Sequence, residues 1–251
     1  MVATTVGAVR AARPKFYVWM AAAFILIAFG GFIPTYWAKM ATGSFTGAPI
    51  LHIHGTLFFA WTLFFFFQSW QVAAGRILDH RAWGMAGIAL ATGMGFTVVL
   101  AVINSINVAE TIGMGDAARR FAIVSLGALA FFAVLFGTAV ANNARPELHK
   151  RLMVLATIPM MEAALARVSM VLTAPPGAVG PPPVIAALPP GLVSLTLIGA
   201  GMAYDWRTRG RPHPAYLIVG ALFLVWMIVR LPLSGTDAWM SIARGVEGLA
   251  G

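Results

Sequence analysis

The sequence predicts an all-α, polytopic membrane helix bundle with seven transmembrane helices, its amino terminus cytoplasmic and its carboxyl terminus external. Composition is the first reason. The 251 residues are 60% hydrophobic and only 10% charged, with a mean hydropathy of +0.84, too little polarity for a water-facing surface. The second reason is that the charge-free runs are long enough to span a bilayer, and the third is that Lys and Arg cluster between those runs. A single transmembrane domain over 1–251 is expected, with a cytoplasmic segment at 1–15 and an external tail at 235–251.

Helices are expected at 16–37, 50–72, 82–106, 119–142, 150–173, 184–204 and 213–234. The first lies between Lys15 and Lys39 with no charge inside, and Trp19, Tyr36 and Trp37 are its interfacial anchors. It lacks the short apolar core and small-residue exit of a cleaved signal, so it is expected to be retained. The second carries His54, Trp61 and Gln68 at intervals of seven, hence on one face, whereas His52 and His54 stand roughly 200° apart around a regular helix. At the end of the third come Asn104, Ser105 and Asn107, read either as ligands or as caps and solvated groups. The sixth contains Pro189 and Pro190 and follows Pro181, Pro182 and Pro183, which predicts a broken or shortened helix.

Counting Lys and Arg by side fixes the expected orientation. The amino terminus and the 73–81, 143–151 and 205–212 loops hold Arg10, Arg13, Lys15, Arg76, Arg81, Arg145, Lys150, Arg151, Arg207, Arg209 and Arg211. The opposite side holds only Lys39, Arg119, Arg120 and Arg244. Eleven against four places the first group in the cytoplasm. That balance also explains the net charge of +9 without nucleic acid, since no basic patch with interleaved aromatics remains.

Three times an arginine stands four residues before a histidine near a helix start: Arg76 and His80, Arg145 and His149, Arg209 and His213. The spacing between them is about the length of one helical hairpin crossing a bilayer twice. The arginines follow from topology, and the histidines are then interfacial residues. The alternative is that His80, His149 and His213 converge from one membrane face on Zn, Fe or Cu, because neutral imidazole nitrogen ligates divalent metals and haem iron. Cysteine is absent, so thiolate ligands, iron–sulfur clusters and thiol catalysis are excluded.

Glu162, Arg167 and Arg230 are the most expensive residues in the predicted spans, because a charge near the bilayer centre costs a few kcal/mol. One reading is a salt bridge of Glu162 with an arginine that locks helices together. In the other, Arg167 and Arg230 hold an anion such as a haem propionate or an acidic substrate, and Glu162 relays a proton or protonates a quinone. Arg167 follows His149 by five helical turns, so both share a face of the fifth helix.

The stretch from His52-Ile-His54-Gly55 through Gln68, then Gly75-Arg76, His80-Arg81 and Gly84, resembles uncharacterised bacterial multi-pass inner-membrane proteins with histidines at helix ends. Arg145-Pro146-Glu147-Leu148-His149-Lys150-Arg151-Leu152-Met153, Asp205-Trp206-Arg207-Thr208-Arg209-Gly210 and His213-Pro214 resemble the later part of the same group. The resemblance covers most of the chain after residue 50 and implies a bacterial inner-membrane location, but carries no activity with it. Likeness to dihaem b-type cytochromes is analogy only, from histidines near both faces on several helices.

Several activities are excluded. The three lysines, Lys15, Lys39 and Lys150, sit at helix edges, which removes a retinal Schiff base. No clustered histidine boxes, H-E-x-x-H signature or rhomboid-like serine context occurs. Four readings stay open at this point. The first is a redox protein binding haem b through His52, His54, His80, His149 or His213, with Arg167 or Arg230 near propionates and a quinone or another membrane redox subunit as partner. The others are a metal-dependent membrane enzyme, a small-anion transporter using the proline-broken helix, and an accessory subunit of a larger complex. In all four the chain's first partner is the lipid bilayer.

Overall fold

The computed structural model describes residues 15–250. Apart from Lys15, the segment expected at 1–15, including Arg10 and Arg13, lies outside the described residues. No strand occurs among them, and seven helical spans are long and apolar enough to cross a bilayer: Phe16–Ala41, Pro49–Ala73, Ile77–Glu110, Gly115–Ala141, Pro146–Thr173, Val184–Arg209 and Pro214–Leu233. Proline at the first helical position starts α3 (Pro49–Ala73), α7 (Pro146–Thr173) and α9 (Pro214–Leu233). There its missing N–H costs nothing and its fixed φ suits the helix.

The first span is α1 (Phe16–Gly31), a π turn over Ile33–Trp37 and a last short piece, α2 (Ala38–Ala41). Pro34 cannot donate to the ladder, and the chain opens by one residue around it: the Trp37 amide reaches the Phe32 carbonyl at 3.2 Å and the Ala38 amide reaches that of Ile33. The third span starts earlier than expected, with α4 (Ile77–Ala82) preceding α5 (Gly84–Glu110). Because α5 runs on to Glu110, Asn104, Ser105 and Asn107 lie inside its last turns and do not cap it.

The sixth span corrects the expectation of a break at Pro189 and Pro190. A 3-10 turn over Val184–Ala187 leads into α8 (Leu188–Arg209), so both prolines fall in the first turn, where no intrahelical N–H partner is needed. Gly210, at φ 74°, closes α8 in the left-handed conformation that only glycine adopts without strain. The fourth span is α6 (Gly115–Ala141).

The centre of the bundle is α7, which packs against α1, α6, α8 and α9. It has the lowest hydropathy of the seven spans, 1.5, yet half of its window is buried, against 17% for the span of α3. Lipid is as apolar as leucine, so burial in a membrane selects close packing and polar partners over hydropathy. Where α1 crosses α7, a Cβ on Gly31 would stand 2.5 Å from the Ala164 carbonyl oxygen, so the backbones meet directly. Outward, Leu26, Phe96, Leu222, Val225 and Ile228 are exposed, as lipid-facing side chains are.

The segment after residue 235, expected as a tail, forms α10 (Asp237–Glu247). Thr236 caps it by accepting the Trp239 amide at 3.3 Å. Trp239, Met240 and Ala243 bury one face, and the Trp239 indole donates to the Arg119 carbonyl at 2.9 Å. Arg119 in turn grips Glu247 through two nitrogens at 2.9 Å and also holds Asp116 and Glu110. The α10 face of the bundle is thereby closed by one arginine.

Candidate functional site

The repeated Arg-x-x-x-His pattern turns out to be two different structures. Arg76 and Arg145 are the N-cap residues of α4 and α7, and His80 and His149 are the fourth helical residues, donating their amides to the arginine carbonyls at 3.0 and 2.9 Å. In the third instance Arg209 ends α8 and His213 is itself the N-cap of α9. Equal spacing in sequence therefore places only two imidazoles equivalently.

Those two meet. The rings of His80 and His149 are 6.3 Å apart between centroids and inclined at 79°. His149 Nδ1 lies 2.8 Å from the Ala139 carbonyl in the last turn of α6. A carbonyl only accepts, so Nδ1 carries the proton and Nε2 keeps its lone pair. His80 Nδ1 is buried and has no hydrogen-bond partner. Behind the pair, the Gln68 amide donates to the His80 carbonyl at 3.2 Å and the Gln71 amide donates to Gln68 Oε1 at 3.3 Å, while Gln71 Oε1 stays unpartnered. Gln68 thus ties α3 to the turn that presents His80.

His213 goes elsewhere. Its Nδ1 accepts the Ala215 amide at 3.1 Å and its own amide donates to Asp205 Oδ2 at 3.0 Å. Burial, reinforced by Arg151, holds its pKa below the ordinary histidine value, so the neutral capping form is favoured. Among the described residues no group of three His, Cys, Asp or Glu side chains converges as a metal site. The expected convergence of His80, His149 and His213 therefore reduces to a pair.

Asp205 belongs to a charge cluster that topology alone concealed. Arg151 is 1% exposed and Asp205 is fully buried. They form a two-pronged pair through Nε at 2.8 Å and through Nη2, and Arg151 Nη1 also donates to the Glu147 carboxylate at 2.8 Å. Arg209 and Lys150 add to Glu147. Nearby, Lys150 lies over the Tyr17 ring at 5.1 Å. The cluster latches α7, α8 and the start of α9 at the arginine-rich face.

Deeper in the bundle, Glu162 and Arg230 form a bidentate pair at 2.5 and 3.1 Å, with both side chains at or below 3% exposure. Arg230 Nη2 also donates to the Ala187 carbonyl at 3.0 Å. Gly191 leaves room for Met227 beside this pair, since a Cβ there would strike Met227 Sδ but stand at ordinary contact, 3.5 Å, from Glu162 Oε1. Arg230, a candidate ligand for an external anion, is thus already engaged by Glu162.

The remaining candidates lie on the α10 side. His52 Nδ1 is 2.9 Å from the Tyr36 hydroxyl, and its ring packs on Phe45. His54 faces another way, its ring tilted at 37° against Phe58 with centroids 4.3 Å apart and its Nδ1 buried and unpartnered, as the two-residue spacing predicts. Arg167 is half-buried, stands over the Phe32 ring at 5.1 Å, and lies in the neighbourhood of His54. Comparison of the chain with protein-family models, curated proteins and solved structures found no match.

Proposed function

We propose that this chain is a bacterial inner-membrane redox protein that holds haem b between His80 and His149 at the cytoplasmic end of the bundle and passes electrons within the membrane. The spacing of the two imidazoles carries the reading. Two metal–nitrogen bonds of about 2.0 Å, with about 1.1 Å from each nitrogen to its ring centre, add to roughly 6 Å when a nitrogen of each ring faces the metal, and the rings stand 6.3 Å apart. The bond from His149 Nδ1 to the Ala139 carbonyl is the outer contact that orients a metal-ligating histidine and raises its basicity.

The residues divide the work. His149 offers Nε2 with its tautomer fixed, and His80 brings an unsatisfied ring nitrogen. Gln68 and Gln71 steady the turn that carries His80. Haem iron would supply a one-electron redox centre there, with a quinone or a second membrane redox subunit as its partner. The excess of Lys and Arg on the face of the pair supports a cytoplasmic placement of that face.

The test is a reduced-minus-oxidised visible spectrum of the detergent-purified protein. A haem b signal is expected, lost in both His80→Ala and His149→Ala and kept in His52→Ala and His213→Ala. A colourless wild-type preparation overturns the proposal, as does a signal that survives both inner substitutions.

A further inference from the structure

The geometry points to a second site, independent of the imidazole pair: Arg167, with Thr35 and His54, receives an anionic group, a carboxylate or a phosphate, on the α10 side of the bundle. Arg119, Arg151 and Arg230 each hold a carboxylate. No hydrogen bond or ion pair engages Arg167 among the described residues, and its guanidinium lies over the face of Phe32. An arginine inside a membrane-spanning helix costs a few kcal/mol and is retained where it meets a counter-charge. A phenyl face repays only part of that cost. Among the described residues no carboxylate pairs with Arg167, and the bound anion is the counter-charge.

Two further residues on the elements that pack around it each carry a buried polar atom without a hydrogen bond. Thr35 Oγ1 is buried and unpartnered, and it sits in the π turn, which packs against α7. His54 Nδ1 is likewise buried and unpartnered. Buried polar atoms in folded proteins nearly always find hydrogen bonds, and those left without a protein partner can be satisfied by a bound ligand, ion or water. The π turn is itself the kind of irregularity found where a helix is adapted to bind. Direct contact of Gly31 with Ala164 holds α1 against α7 about one turn before Arg167 on α7 and one turn before Thr35 in the first span.

The site stands apart from the proposed haem ligands. Arg167 follows His149 by eighteen residues on one helix, about 27 Å, beyond the reach of a propionate of a haem held by His80 and His149. Failure of either proposal therefore leaves the other intact.

The experiment uses the full-length protein. In zwitterionic detergent at constant ionic strength it is titrated with inorganic phosphate and separately with acetate, following tryptophan fluorescence, because Trp37 ends the π turn and packs on Phe29 and Phe59. In parallel it is reconstituted into phosphatidylcholine nanodiscs with and without phosphatidylglycerol, and retained lipid is counted by native mass spectrometry. Binding is expected in at least one arm, weakened about ten- to a hundredfold by Arg167→Gln, partly kept by Arg167→Lys and weakened severalfold by Thr35→Val. A response to phosphate or acetate identifies a free anion, and selective retention of phosphatidylglycerol identifies a lipid headgroup; both support the site. Equal binding by wild type and Arg167→Gln overturns it, as does absence of binding in every arm. An Arg167→Gln protein that fails to fold, judged by gel filtration and melting, assigns the residue a structural role and also overturns it.

Discussion

Arg230 and Arg167 are both arginines inside apolar helices, yet their surroundings are opposite. Arg230 is 1% exposed and spends its guanidinium on Glu162 and the Ala187 carbonyl. Arg167 is half-buried over Phe32 and makes no hydrogen bond or ion pair among the described residues. The pair is a device of stability, because each charge would be ruinous without the other. The unpaired residue adds no ion pair to the fold, and that asymmetry separates the two roles better than charge or depth does.

The largest expected effect comes from breaking the pair. Arg230→Ala leaves a buried carboxylate without a partner and should cost about 3–5 kcal/mol, read as a large fall in melting temperature or loss of folded protein in detergent. Replacing both partners, Glu162→Gln with Arg230→Met, should recover much of that loss, since no charge is then stranded. Asp205→Asn, at the latch on the arginine-rich face, should cost about 2–3 kcal/mol, because Arg151 keeps Glu147 as a second partner. Gly31→Val presses a side chain onto the Ala164 carbonyl and should cost about 1–3 kcal/mol. Arg167→Gln should leave the melting temperature unchanged or raise it, in contrast with Arg230→Ala, and a loss equal to that of Arg230→Ala would erase the distinction.

The smallest effect is a pH dependence at His213. Its folded pKa lies below the ordinary value of 6.5, chiefly through burial. Above that value both states are neutral there and the cap contributes fully. As pH falls below about 6.5, the unfolded chain takes up a proton that the folded cap resists, so stability declines. His213→Asn, which can still accept the Ala215 amide, should flatten that part of the wild-type melting profile between pH 7 and 5.

The spans were legible because a bilayer demands about twenty apolar residues per crossing, and the expected and observed helices differ mainly at their ends. At Pro189 and Pro190 the sequence misleads, because a proline in the first turn and one in the middle look alike until the start of the helix is known. Arg151 was counted as a topological charge, which hid its bond to Asp205; the signal available was an acid beside Trp206 at the end of an apolar run. The three histidines looked equivalent because spacing does not reveal whether a residue lies within a helix or caps it. Only the partners of His80, His149 and His213 separate them.

The pairing of Glu162 with Arg230 also bears on the order of assembly. The two residues are separated by 68 positions, and α8 lies between them in the chain. During synthesis α7, already the least apolar span, is complete well before its counter-charge exists. Until α9 emerges, Glu162 must remain protonated, hydrated or shielded by other protein. A chain stopped after α8 should therefore be retained by membrane-protein quality control, whereas Glu162→Gln in the same truncated chain should relieve that retention. The last transmembrane helix of the bundle is in this sense the one that licenses its central helix to stay.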